Sequence, residues 1–142
     1  MRWLGLDLGE RRIGLALSDP LELTAQALTV WQRKGSLKQD LEYLLKVIQE
    51  YEVGGLVLGL PKNMNGSEGF MADKVRDFGA VLEKLSGIKI EFWDERLSTS
   101  SAQKVLIEAD LSRKKRKGKI DQVAAAIILQ NFLDFKKGIK IT

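Results

Sequence analysis

Residues 2–8 (RWLGLDL) set Leu4, Leu6 and Leu8 against Trp3, Gly5 and Asp7, the period-two alternation of a half-buried strand. Residues 12–18 repeat the pattern, with Ile13, Leu15 and Leu17 against Gly14, Ala16 and Ser18. The link between them, GERR, is short enough to demand an antiparallel hairpin. TAQALTV at 24–30 reads as a third short strand. From Ser36 the period changes: Leu37, Leu41, Leu44, Leu45 and Ile48 recur on one helical face, and Gln39 stands at the capping-box distance from Ser36. VGG at 53–55 closes that helix, and LVLGL at 56–60, apolar on both faces, predicts an interior parallel strand ended by Pro61. Residues 62–69 form a loop. A second helix is expected over 70–86, with Phe70, Met71, Val75, Phe78, Leu82 and Leu85 on its apolar side. Strand five spans 87–95, a third helix runs from Ser98 to Leu111, and a last, very apolar one covers 120–135.

Strands that alternate with helices in the back half should be parallel, with helices on both faces; the front hairpin makes the sheet mixed. The expectation is an α/β fold with a mixed five-stranded sheet. No repeat or linker divides the 142 residues, so 1–142 is expected to form one domain.

Composition narrows the chemistry. The chain has neither cysteine nor histidine, so zinc, haem and iron–sulfur sites lack their usual ligands, and Ser–His and Cys–His nucleophile pairs are excluded. Any metal must be held by oxygen, which favours Mg²⁺ or Mn²⁺. No apolar run approaches membrane-spanning length, and a strand pattern begins at Arg2, so a cytoplasmic protein without a membrane partner is expected. Of the net charge of +4, SRKKRKGK at 112–119 supplies Arg113, Lys114, Lys115, Arg116, Lys117 and Lys119, leaving the remainder slightly acidic. So dense a basic run is an electrostatic footprint for a polyanion, here nucleic acid; the alternative is a solvated loop.

Three acids stand out. Asp7 lies in a strand expected to be covered on both faces, where a lone carboxylate is costly, so it should be paired, protonated or bound to a cation. Gly5 and Gly9 share its face and are expected to clear room for a metal and a phosphate. Asp94 and Glu95 end strand five, where open parallel sheets place their ligands; Asp7 and Glu95 would meet if strands one and five were neighbours. Asp121 opens the last helix, a position the helix dipole also favours. Together these acids suggest a site for one or two hard divalent ions of the kind that drives phosphodiester hydrolysis.

GLDLGERRIGLALSD (5–19), GLPKNMNGSEG (59–69), DERLSTSSA (94–102) and IDQVAAAIILQNFL (120–133) resemble, in order, the successive blocks of the YqgF/RuvX family, and the resemblance covers almost the whole chain. That family comprises RuvC-like Holliday junction resolvases and nucleases that process the 5′ end of pre-16S rRNA. The resemblance implies an RNase H-like fold opening with three antiparallel strands. It implies that Asp7, Glu95 and Asp121 are the metal-binding catalytic acids, with Asp7 touching both ions if there are two. The expected function is metal-dependent hydrolysis of structured nucleic acid: structured RNA ahead of branched DNA, within pre-ribosomal particles, by a monomer or weak homodimer.

Arg11 and Arg12 beside the hairpin turn, and Arg96 after the acidic pair, are candidate phosphate contacts alongside the basic run. Asn63, Asn65, Ser67 and Glu68 suit turn formation and helix capping, and Trp93 can stack on a base or fill the core. Two rivals differ in class. An actin or sugar-kinase-like nucleotide binder shares the Asp-x-Gly hairpin but needs a second domain. A non-catalytic RNA-binding module explains the basic run but not Asp7.

Overall fold

The computed structural model describes residues 1–61, 65, 67–95 and 117–138, with side chains in the last segment described from Val123 onward. Five strands, β1 (Arg2–Leu8), β2 (Arg12–Ser18), β3 (Ala25–Gln32), β4 (Val53–Leu60) and β5 (Ile90–Asp94), form one sheet in the order β3-β2-β1-β4-β5. The first three are antiparallel, and β4 and β5 are parallel to β1. The mixed sheet expected from the sequence is present, and the weakly patterned third strand is real and longer than 24–30.

Among the described residues three helices cover the sheet: α1 (Leu37–Glu50), α2 (Phe70–Ser86) and α3 (Lys117–Lys136). Helix α1 starts where the Ser36 hydroxyl accepts the Gln39 N–H at 3.3 Å, satisfying one of the free donors of the first turn. It stops at Glu50, and Val53 already belongs to β4, so VGG is strand rather than helix stop. Gly87, at φ 74°, ends α2 in the left-handed conformation that glycine adopts without penalty. Strand β5 therefore begins at Ile90, later than its pattern predicts.

Period-two alternation splits the apolar residues between two cores. Leu4, Leu6, Leu15, Leu56 and Leu58 pack under α1 and α2 with Leu41, Leu44, Val75, Phe78 and Leu82. Trp3, Ala16, Val57 and Trp93 pack under α3 with Ala125, Ile128, Leu129, Phe132 and Leu133. Burying each such leucine stabilises the fold by roughly 2 kcal/mol. The apolar side of α2 is narrower than predicted: Phe70 and Leu85, at 71% and 55% exposure, lie outside the core, because Ala72 and Gly79 occupy the contact face instead. Among the described residues no helix is long and apolar enough to cross a membrane.

Candidate active site

The face of the sheet under α3 carries Trp3, Gly5 and Asp7 along β1. A Cβ on Gly5 would lie 2.8 Å from Leu129 Cβ and 3.3 Å from the Ala125 carbonyl oxygen. Gly5 thus makes room for α3, not for a metal. Gly9 serves the turn: its N–H donates to the Arg12 carbonyl at 2.8 Å, and a Cβ there would sit 2.8 Å from that same oxygen. The expectation that both glycines clear space beside Asp7 is replaced by these two separate causes.

Asp7 and Glu95 are not on adjacent strands, because β4 lies between β1 and β5. The β4 residue between them is Gly59. One step beyond the Leu6–Leu58 pair, Asp7 stands beside Gly59 on β4, and Gly59 pairs with Trp93 on β5. Glu95 follows β5 and is half-buried; its Oε1 would lie only 3.1 Å from a Cβ on Gly59. The Glu95 carboxylate therefore lies over the bare backbone of β4, reaching from β5 toward the strand that carries Asp7. Asp7 is itself half-buried, opposite Gly14 on β2, so its site is open to solvent rather than sealed in the core as expected. Gly59 is the position the sequence reading missed. Its signal was its register, two residues past Val57 on the α3 face of β4, in the apolar half of the strand that runs Leu56–Leu60.

Helix α3 runs antiparallel to β1. Phe132 packs on Trp3 with ring centroids 4.9 Å apart, Leu129 and Ala125 lie over Gly5, and Ile128 reaches Gly59. The amino end of α3 is thus directed at the carboxyl ends of β1 and β4. Asp121 is one helical turn before Ala125 on this approach, about 6 Å further toward Asp7 along the axis. Because the helix starts at Lys117, not 120, Asp121 sits in the second turn, where the terminal dipole is a weaker reason for an acid. The backbone of Asp121 is described and its side chain is not. Among the described residues no three carboxylates stand together as a metal cluster. The Glu95 carboxylate lies over a cradle that a Cβ on Gly59 would fill, and Asp7 stands on the strand that flanks it; carboxylate oxygens are the donors that suit a hard divalent ion.

The remaining predicted residues fall as follows. Arg11 is exposed at the hairpin turn and Arg12 is half-buried at the start of β2. Lys117 and Lys119 belong to the first turn of α3 rather than to a loop. Asn63, Arg96, Arg113, Lys114, Lys115 and Arg116, and the predicted helix from Ser98 to Leu111, lie outside the described residues. The Asn65 Oδ1 accepts from the Ser67 N–H and hydroxyl at 3.0 and 2.7 Å, the turn chemistry expected of it, and Glu68 makes a paired ionic contact with Arg76 at 2.7 Å. Trp93 is core, 5% exposed, edge-on to Phe132. A hollow of about 670 Å³ opens on the opposite face of the sheet, between Leu8, Gly9, Arg33, Lys74 and Phe78; its acids are Glu10 and Asp77, and neither Asp7 nor Glu95 lines it.

The family model for RuvX, described as Holliday junction resolvase, matches residues 1–135. A protein of Syntrophomonas wolfei named "Putative pre-16S rRNA nuclease" is 55% identical over 134 residues, 94% of each chain. One of the same name from Halothermothrix orenii is 54% identical over 136 residues, 96% of each. Among solved structures, Thermus thermophilus RuvC in complex with a Holliday junction superposes with a TM-score of 0.65 over 97% of this chain and 96% of its own, at 15% identity. The sheet order and helix placement are therefore those of RuvC, an RNase H-like fold. On the match over residues 1–135 and relatives identical at more than half of their positions, the chain belongs to the RuvX family.

Proposed function

We propose that this chain is a divalent-metal-dependent nuclease that hydrolyses phosphodiester bonds in structured RNA, and that its task is 5′-end processing of pre-16S rRNA in the cytoplasm. The observation that carries the reading is the seating of the Glu95 carboxylate over Gly59, beside the strand of Asp7, at the carboxyl ends of the parallel strands. The names of the relatives supply the substrate. We read residues 1–142 as one RNase H-like nuclease domain.

Asp7, Glu95 and Asp121 would hold Mg²⁺ or Mn²⁺, which when bound supplies activation of the attacking water and neutralisation of charge on the phosphate. Asp7 is the central ligand, contributed by the rigid middle strand. Glu95 closes the site from β5, and Asp121 from the covering helix. Glycine at 59 keeps the floor between them flat, so that a phosphate can approach the backbone. The basic run from Arg113 to Lys119, with Arg11, Arg12 and Arg96, would hold the flanking phosphates, which fixes position without reading sequence.

The family model's description favours a second reading, resolution of four-way DNA junctions. A third is a non-catalytic RNA-binding module of ribosome assembly. A cleavage assay separates the three: a labelled rRNA-precursor leader and a four-way DNA junction, each with Mn²⁺, Mg²⁺ or EDTA, for wild type and Asp7→Asn. Metal-dependent cutting of the RNA, reduced at least about a thousandfold in Asp7→Asn, is the expected result. Cutting of the junction alone assigns the resolvase. Tight RNA binding with no cutting assigns the binding module.

A further inference from the structure

The turn that follows Asp7 is strapped at both ends to one residue. Arg33 comes directly after β3. Its backbone N–H donates to the Arg11 carbonyl at 2.8 Å, and its Nη1 donates to the Gly9 carbonyl at 2.7 Å. Gly9 is two residues beyond Asp7, where the chain has left the β1 ladder at Leu8.

The guanidinium is held in its turn. Arg33 Nε donates to Asp40 Oδ2 at 2.8 Å, and the other oxygen of Asp40 accepts from Trp31 Nε1 at 2.8 Å. Asp40 is 1% exposed, in the first turn of α1. Trp31 is fixed by stacking on Tyr43, with ring centroids 4.2 Å apart and planes 12° from parallel. A buried ion pair is a poor way to gain stability, since apolar residues of similar volume serve as well or better. It is a good way to aim a guanidinium. The planar fork of arginine presents Nε to a carboxylate and Nη1 to a carbonyl at once, which the single nitrogen of lysine cannot do.

We propose that Arg33, aimed by Asp40 and Trp31, is the positioning residue of the candidate metal site: by holding the Gly9 carbonyl it fixes the strand end from which Asp7 meets the ion. The proposal rests on the metal reading given above. Arg33 touches neither substrate nor metal in this account and acts through the turn.

Arg33→Lys is the variant to make, because it keeps a cation beside Asp40 and gives up the second arm of the fork. Mn²⁺ binding to the substrate-free protein is read from the loss of the free-ion paramagnetic signal, for wild type, Asp7→Asn and Arg33→Lys. Amide exchange at Gly9 and cleavage against Mn²⁺ concentration complete the set. The expected result is Mn²⁺ affinity lowered about tenfold in Arg33→Lys, the effect typical of losing a partner behind a metal ligand. Gly9 exchange should be faster, and the cleavage rate should recover at saturating Mn²⁺. If Arg33→Lys fails to fold, Trp31→Phe replaces it: this leaves the Arg33 fork intact, removes the second donor to Asp40 and part of the stacking on Tyr43, and a weaker loss of Mn²⁺ affinity, below about tenfold, is expected. Wild-type Mn²⁺ affinity in the folded variant, with a lowered melting temperature, would make Arg33 a structural ion pair and overturn the proposal alone. Absence of Asp7-dependent Mn²⁺ binding in the wild type would overturn the metal reading and this proposal together.

Discussion

Replacing Gly59 with alanine separates packing from chemistry at one atom. The new methyl would stand 2.6 Å from Ile128 Cδ1 and 3.1 Å from Glu95 Oε1. Cδ1 is the far end of a flexible side chain and can swing away, so the steric cost is that of ordinary overpacking, about 1–3 kcal/mol. In a chain of this size that lowers the melting temperature by about 3–10 °C. The carboxylate is the other neighbour, and it has to lift off the floor between β1 and β5. If that floor seats an ion, Mn²⁺ affinity should fall about tenfold or more, as it does when a ligand's supporting shell is disturbed. Gly79→Ala is the control. Its methyl would meet Phe92 Cζ at 2.7 Å and Leu58 Cδ2 at 3.3 Å on the opposite face of the sheet, its nearest neighbours being apolar. It should change stability by a similar amount and leave Mn²⁺ binding untouched. Calorimetric titration of Mn²⁺ beside a thermal melt reads both quantities. Gly59→Ala binding Mn²⁺ as tightly as wild type, or Gly79→Ala losing as much affinity as Gly59→Ala, would refute the reasoning.

Three further outcomes are expected. Asp40→Ala strands the Arg33 guanidinium and should cost about 3–5 kcal/mol in chemical denaturation, far more than an exposed ion pair such as Glu68–Arg76. The Glu22 carboxyl is held below its ordinary 4.5 by its hydrogen bond from Lys136 and by that from Trp3 Nε1. Its folded value is the lower one, so its contribution to stability is complete above about 4.5 and is lost as pH falls through the folded value. The stability gap between wild type and Glu22→Gln should therefore close on acidification, and a gap independent of pH from 6 down to about 2.5 would contradict it. Changing Arg113, Lys114, Lys115 and Arg116 to glutamine should flatten the slope of log affinity for RNA against log salt by about 3, and an unchanged slope would remove the run from the binding surface.

The parts of the fold set by local periodicity were legible. Strands β1 and β2 and helix α2 fall where alternation and 3.6-residue spacing place them, and Ser36 caps α1 as its sequence announces. Boundaries failed where tertiary contacts override local pattern. Glycines 54 and 55 stay in β4 because a Cβ at either would meet Met1 or Trp3, not because the chain turns there. The span of α2 was right but its outer apolar residues Phe70 and Leu85 were not core, since Ala72 and Gly79 share the contact face with Val75, Phe78 and Leu82. At the candidate site, the chain offers Asp7, Glu95 and Asp121 as candidates, but not the order of the strands that carry the first two. Strand order is a non-local property, and with β4 between β1 and β5 the decisive residue is one without a side chain. Asp40 is a case of the same kind. It lies one turn before Leu44 on the buried face of α1, a polar residue inside an apolar stripe, but nothing local pointed to Arg33 as its partner.

The proposed function stands or falls on whether Asp7 and Glu95 share a divalent ion over Gly59. Anomalous diffraction from crystals grown with Mn²⁺ tests it most directly. A peak is expected about 2.1 Å from a carboxylate oxygen of Asp7, with Glu95 at the same ion and the site empty in Asp7→Asn crystals. A Mn²⁺ peak elsewhere on the protein, or none at this site at millimolar Mn²⁺ with both side chains ordered, would contradict it.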